Sequence, residues 1–527
     1  MPLLDAHRTA VTEKLEVLLL KPPFSFFDLI ESRFGDYDSI RRIFSLARSF
    51  NAATLIIESL PPAGIIEEEN NDILVRYSDY HNDALLRLSF WATELASDTG
   101  LESCSNDALV GYAILKHDLI ASNNFDRWHV FEAVFAKYPH EHNCVPRARE
   151  YRLTVGDKSF GIEGILYCQQ NGLNKACAQV AMRSLLSAVL PESDISYRTL
   201  NQLAEKVSPG FDPGQGLSVP QIRGILNELK INFNDIDYCQ GDDNLRNALP
   251  YQKFAYAGLE SGCGALVGFR LAGRELQEEA KHIIPFYGHT FNKDTWVPNA
   301  EISYFHIGEG VGYVPSESWT SSFIGHDDNF GPNFCIPRLY IDGDKVDYVV
   351  ELFRPGVCYG GIQAEAIALN ILYSLLPSLY QAQNKWISRL LQWTQKQQVV
   401  FRAQAVTAQE FAAHLESLAD WEGRKEKHDL PGALARGMPE IVWAVEISTP
   451  QLFPANERKL GEIVLDATQR PDLSQTSDFF NIFLFARLPG IYLLGGDIIN
   501  GTPSFTQVPS GMESHTELFK ARKYLTS

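Results

Sequence analysis

Residues 177–190, Cys-Ala-Gln-Val-Ala-Met-Arg-Ser-Leu-Leu-Ser-Ala-Val-Leu, are the stretch that most constrains this chain, because they form an apolar, helix-like run headed by a thiol. Directly before them lies the polar stretch 169–176, Gln-Gln-Asn-Gly-Leu-Asn-Lys-Ala. A helix N-terminus carries unpaired N–H groups and the positive end of the macrodipole, and both favour thiolate over thiol at Cys177. An amide side chain a few residues upstream is placed to stabilise an oxyanion. About a hundred residues later come residues 282–288, His-Ile-Ile-Pro-Phe-Tyr-Gly, a histidine leading a short apolar run that ends in glycine. That is the pattern of a general base at the head of a strand. A Cys first and a His later, on separate elements, is a cysteine-hydrolase layout.

Composition narrows the partners. With 65 acidic and 46 basic residues the net charge is -19, a field that repels phosphate backbones and anionic lipid, so neither nucleic acid nor a membrane surface is expected as a partner. No apolar stretch approaches the ~20 residues needed to span a bilayer. The eight cysteines are scattered without paired spacing, and the N-terminus has an early acidic residue and no secretory apolar core. Reduced thiols and a cytoplasmic location follow as expectations. At 527 residues, two or three domains are expected.

Three blocks emerge. Residues 1–150 mix an amphipathic helix pattern at 40–47 with β-rich runs at 109–115 and 128–135, and are expected to form an accessory α/β domain. Residues 151–358 hold the candidate site. There Ser218-Val-Pro-Gln221 has the form of a capping box, residues 264–271 and the run from His282 are strand-like, and residues 340–350 suggest an Asp-Gly hairpin. Residues 359–527 open with a long helical pattern from 363 to about 398 and end in β-rich runs at 441–447, 461–465 and 482–485, an α+β arrangement.

The central block resembles the papain-like cysteine peptidase superfamily, and within it the branch of bacteriocin-processing peptidases. Cys177 heads a helix, His282 to Gly288 has the family's His-apolar-Gly spacing, and the runs 195–204 and 216–229 are similar to the two helices that follow the nucleophile helix in those peptidases. The resemblance covers about residues 155–355. It implies an α+β papain-like core, with the nucleophile on a central helix and the base on an antiparallel sheet. It also implies a peptide or isopeptide substrate and no cofactor or metal. The family's glutamine usually lies six residues before the Cys. That position here is Asn171, while Gln170 and Gln169 lie seven and eight before Cys177, so a one-residue loop insertion would restore Gln170. Gln170 ranks first as oxyanion donor and Asn171 second.

The third catalytic member depends on geometry. If 282–288 and 295–299 are consecutive strands turning near 290, Asn299 falls opposite His282, and Asp294 sits more than ~10 Å away at ~3.4 Å per residue. A bent loop would instead favour Asp294, whose carboxylate orients imidazolium better than an amide. Asn299 therefore ranks ahead of Asp294.

Other residues have competing roles. His289 is a rival base placed in a turn, and Tyr287 and Trp296 are expected to pack around His282. The loop 326–331, His-Asp-Asp-Asn-Phe-Gly, has the polar density of a site, although such clusters are more often turns. Residues 140–144, His-Glu-His-Asn-Cys, offer metal-ligand atoms without a second cluster at a zinc-site offset, which leaves a solvated loop.

The expected function is a cysteine peptidase working through a thioester on Cys177. A papain-fold deamidase or acyltransferase would use the same residues with a different acceptor. A catalytically silent papain-like scaffold or sensor is the non-enzymatic alternative. Under any of them, the flanking domains offer surfaces for a regulatory partner.

Overall fold

In the computed structural model the described residues are 15–95, 98–136, 143–146, 148–173, 176–190, 194–240, 245–271, 280–290, 311–380, 385–419, 423, 425, 430–453, 457–475, 478–499, 502–510 and 516–519. Their fold is mixed α+β, built on three large sheets. The first is a five-stranded meander made from Glu16–Leu19, Thr54–Ser59, Tyr80–Trp91, Leu109–Ile120 and Phe125–Phe135. Its four pairings are all antiparallel, so the block is α+β and not the α/β arrangement expected. Only Leu109–Ile120 and Phe125–Phe135 are joined by a short connection; the helices Phe26–Arg33 and Asp38–Ser49 lie between the first two strands and Ile65–Arg76 between the second and third, yet each strand returns antiparallel beside the one before it.

The central sheet places its strands in the order Gly331–Pro337, Ser322–Asp327, Ala280–Thr290, Gly264–Leu271, Val346–Leu352 and Phe233–Asp237. Two apolar layers cover it. On one face the helix Cys177–Val189 and its followers Tyr197–Val207 and Val219–Glu228 bury Met182, Leu185, Leu200 and Ile222 against Leu266, Ile283, Tyr287 and Val350. On the other face the helix Tyr251–Glu260 packs Phe254 and Ala255 against Val267, Phe269, Ile284 and Phe286. Ser218 and Gln221 form the expected capping box at the head of Val219–Glu228.

The turn at Asp342 and Gly343 is real, but its flanking strands do not pair with each other: Gly331–Pro337 pairs with Ser322–Asp327, and Val346–Leu352 pairs with Gly264–Leu271. The expected Asp-Gly hairpin is therefore absent. Two central strands already satisfy Val346–Leu352 along both edges, which leaves it no edge for a hairpin partner.

The third sheet runs from Val314–Pro315 through Val400–Thr407, Ile441–Ser448, Gly461–Asp466, Phe483–Leu488 and Ile491–Ile499 to Thr502–Pro509. It is covered by the helical stretches Gly361–Tyr380 and Lys385–Gln395, both within the long helical pattern expected from 363 to about 398 or directly before it; residues 381–384 lie outside the described residues. No helix among the described residues is long and apolar enough to cross a membrane.

Candidate active site

Cys177 is the first residue of its helix, as its sequence position implies. Every residue from Ala178 to Val189 is buried, so the helix is a central element held on all sides. Arg183 anchors it to the first sheet through Glu132 at 2.8 Å and also pairs with Asp194 at 2.7 Å. The N-cap is Ala176, which has no side chain able to cap. The first-turn N–H groups are thus left for the thiol or for an oxyanion.

The thiol is nevertheless not a thiolate at rest. Burial, reinforced by the charge of Asp328, pushes Cys177 up to about 11, against the opposing pull of the Cys177 and Ala178 N–H groups. Desolvation outweighs the helix terminus here, reversing the expectation drawn from the dipole alone.

His282 lies in the strand Ala280–Thr290 and pairs across the sheet with Phe269, its ring centroid 5.5 Å from the Phe269 ring. Phe269 belongs to the layer beneath Tyr251–Glu260, whereas Cys177 packs with Tyr348 in the layer on the opposite face. Cys177 and His282 therefore belong to layers on opposite faces of the sheet. Among the described residues no hydrogen bond links them.

The turn that follows the strand Ser322–Asp327 connects the two. Nε2 of His282 lies 3.3 Å from Asp327 Oδ1 and 3.6 Å from Asp328 Oδ1, and the Asn329 amide nitrogen is 3.5 Å away. The Asn329 backbone N–H donates to Asp327 Oδ1 at 2.9 Å and fixes that carboxylate. Burial alone would push the His282 pKa down, but the Asp327 hydrogen bond and the two carboxylate charges together raise it above its ordinary value. Burial and the neighbouring Asp327 lift Asp328 to about 6, although the His282 charge opposes them. Asp328 is thus charge-coupled to His282 and to Cys177 alike.

Asn299 and Asp294 lie outside the described residues. The acidic groups that the fold brings to His282 are Asp327 and Asp328, in the loop whose polar density had suggested a contributing role. Their partnership was hidden in the sequence because they follow His282 by forty-five and forty-six positions. The register Phe286 to Gly325, continued toward the strand ends, is what brings them together.

Of the three amides at 169–171, the outer two are held in hydrogen bonds away from Cys177. Gln169 Oε1 accepts from Ser39 Oγ and from the Val130 N–H, both at 2.9 Å. The Asn171 side-chain nitrogen donates to Glu69 Oε1 at 3.0 Å, and Asn171 Oδ1 accepts from the Leu173 N–H. Gln170, half-buried between them, takes part in neither network.

His289 is not in a turn but inside the strand, fully buried, with its Nε2 2.8 Å from Glu260 Oε1. Burial would lower its pKa, but Cys144 and Glu260 raise it to about 9. Tyr287 does not surround His282. Its ring lies 4.5 Å from that of His326, and its hydroxyl bonds Asn333. Alternation along the strand turns it to the other face from His282. Trp296 and residues 140–142 lie outside the described residues; Cys144 pairs in register with His289.

Compared with protein-family models and with curated proteins, the chain matches none.

Proposed function

We propose that this chain is a cysteine-type hydrolase with a papain-like core, cleaving peptide or isopeptide bonds through a thioester on Cys177. The observation that carries this reading is that the charge of Asp328 acts both on a thiol at the head of an uncapped buried helix and on a buried His282–Asp327 pair. With Nε2 directed at the carboxylates, the imidazole carries its N–H there and its basic lone pair on Nδ1. In the reaction Nδ1 of His282 takes the Cys177 proton as sulfur attacks the carbonyl carbon. The oxyanion is held by the Cys177 N–H and the Gln170 amide. Collapse breaks the C–N bond, His282 protonates the departing amine, and water then releases the acyl group. Because the thiol is protonated at rest, proton transfer accompanies attack and does not precede it.

The same papain-like core without turnover, serving as a scaffold or sensor, is a second reading. It is favoured by the pKa of about 11 at Cys177 and by the placement of His282 across the sheet. A deamidase or acyltransferase would differ only in the acceptor. The eight free cysteines support a reducing, cytoplasmic setting. The test is a search for new protein termini in an extract treated with wild-type or Cys177→Ala protein. Termini that appear only with wild type support hydrolysis; equal patterns favour the scaffold.

A further inference from the structure

Three clusters of buried donor atoms occur among the described residues, each with its atoms within 4.8 Å of one another: Cys144, Glu260 and His289; His414, Glu446 and Glu462; and His282, Asp327 and Asp328. In the first two, buried cations already answer the carboxylates. Arg402 lies 3.4 Å from Glu260, Lys459 lies 2.7 Å from Glu446, and Arg487 lies 2.8 Å from Glu462. The third differs. Asp328 is 5% exposed, and no other described residue hydrogen-bonds either of its carboxylate oxygens. A buried carboxylate with no hydrogen-bond partner, answered only by the His282 ring at 3.6 Å and the charge of Arg127, is costly, and it points to a ligand that supplies positive charge.

The distances carry the point further. A charge-assisted N–H to carboxylate bond is ~2.7–2.9 Å long, and one imidazole N–H cannot serve two carboxylates at full strength. Two ligands bound to one zinc ion at ~2.0 Å in tetrahedral array stand ~3.3 Å apart. The observed separations from His282 Nε2, 3.3 Å to Asp327 and 3.6 Å to Asp328, are long for hydrogen bonds and close to that tetrahedral edge. The hydrogen bond from Asn329 N–H to Asp327 would orient a ligating carboxylate in the way outer partners do at metal sites. One imidazole with two carboxylates suits a zinc-class ion better than calcium or magnesium, which prefer all-oxygen shells.

We propose that His282, Asp327 and Asp328 bind one divalent cation of the zinc class, and that this ion reversibly switches the hydrolase off. The two carboxylate charges neutralise the ion. Coordination by the Nε2 lone pair forces the imidazole proton onto Nδ1, so the lone pair that would accept the Cys177 proton is lost. The switching half rests on the hydrolase reading, whereas the binding half does not.

The experiment titrates the metal-free 527-residue chain with zinc by calorimetry and with cobalt(II) by visible absorption. One ion per chain is expected, with the intense cobalt spectrum of tetrahedral coordination. Affinity should fall on the order of 100-fold or more in Asp328→Asn and in His282→Ala, and persist in Cys177→Ala. Asp327→Asn provides the same test if Asp328→Asn does not fold. No stoichiometric binding, or binding unchanged in the carboxylate variants, would overturn the site. Hydrolysis that proceeds undiminished with the ion bound overturns the switch alone. Binding without hydrolysis under any condition overturns the hydrolase reading and leaves the metal site standing.

Discussion

The imidazole of His282 reaches Asp327 at 3.3 Å while its strand registers it against Phe269, on the sheet face opposite the layer in which Cys177 packs. Asp328, one residue further along the same turn, is the group whose charge acts on both. Reactivity at this corner is therefore set less by the helix terminus than by two carboxylates and by burial.

The resting thiol should be slow. Because Cys177 is pushed up to about 11, its thiolate fraction near neutral pH is small. A small neutral alkylating reagent should modify the exposed Cys239 and Cys335 before Cys177 at pH 7.5, with the Cys177 rate still rising above pH 9. Mass-spectrometric mapping of the labelled peptides decides it; first labelling at Cys177 would show a preformed thiolate.

Asp328 should trade stability for function. A carboxyl whose native pKa stands above its unfolded value makes the native state bind more protons, so stability is lost as pH rises from about 4 through about 6. The rise from 3.8 to about 6 corresponds to at most ~3 kcal/mol. Asp328→Asn is expected to be more stable than wild type at pH 7 and equal to it near pH 3. Urea unfolding at the two pH values measures the difference, and equal stability at pH 7 contradicts it.

The same carboxylates should set the acid limb of activity. They raise the His282 pKa, and the base must be neutral to act, so Asp327→Asn should move the acid limb to lower pH while reducing turnover. A pH–rate profile or an NMR titration of the His282 ring records the shift. A limb that stays in place would remove Asp327 from the base.

The amides of the loop before Cys177 should separate by role. Gln170→Ala should keep its Tm and lose ~10²–10³-fold in turnover. Asn171→Ala removes a hydrogen bond from the buried Glu69 and should instead cost ~1–3 kcal/mol in stability. Calorimetric melting beside turnover for both variants tests the pair; the opposite pattern would return the oxyanion role to Asn171.

Glu260 joins the central sheet to the third sheet, lying 2.8 Å from His289 and 3.4 Å from Arg402. Arg402→Met should cost ~3–5 kcal/mol by leaving the buried Glu260 with His289 as its remaining charged neighbour. Burial opposes ionisation of Glu260, but Arg402 and His289 hold its pKa down at about 2, so the stability it contributes is present above pH 4.5 and is lost as pH falls toward 2. The penalty of Arg402→Met should accordingly shrink below pH 3, as read from unfolding at pH 7 and pH 3.

The sequence by itself determined the elements at the site. An apolar run of helix formers specifies Cys177–Val189, Ser218 and Gln221 specify the start of the helix Val219–Glu228, and short continuous apolar runs specify Gly264–Leu271 and the strand holding His282. These are local signals, complete within a few residues of chain. Only the tertiary structure decided which acidic residue meets His282, which face of the sheet the base occupies, and whether Cys177 is thiol or thiolate. Strand partners are chosen over long separations, and a shift of one residue in register turns a side chain to the opposite face. The ionisation of Cys177 follows from how much water its neighbours exclude and from where Asp328 comes to rest, and neither is written in the residues beside it.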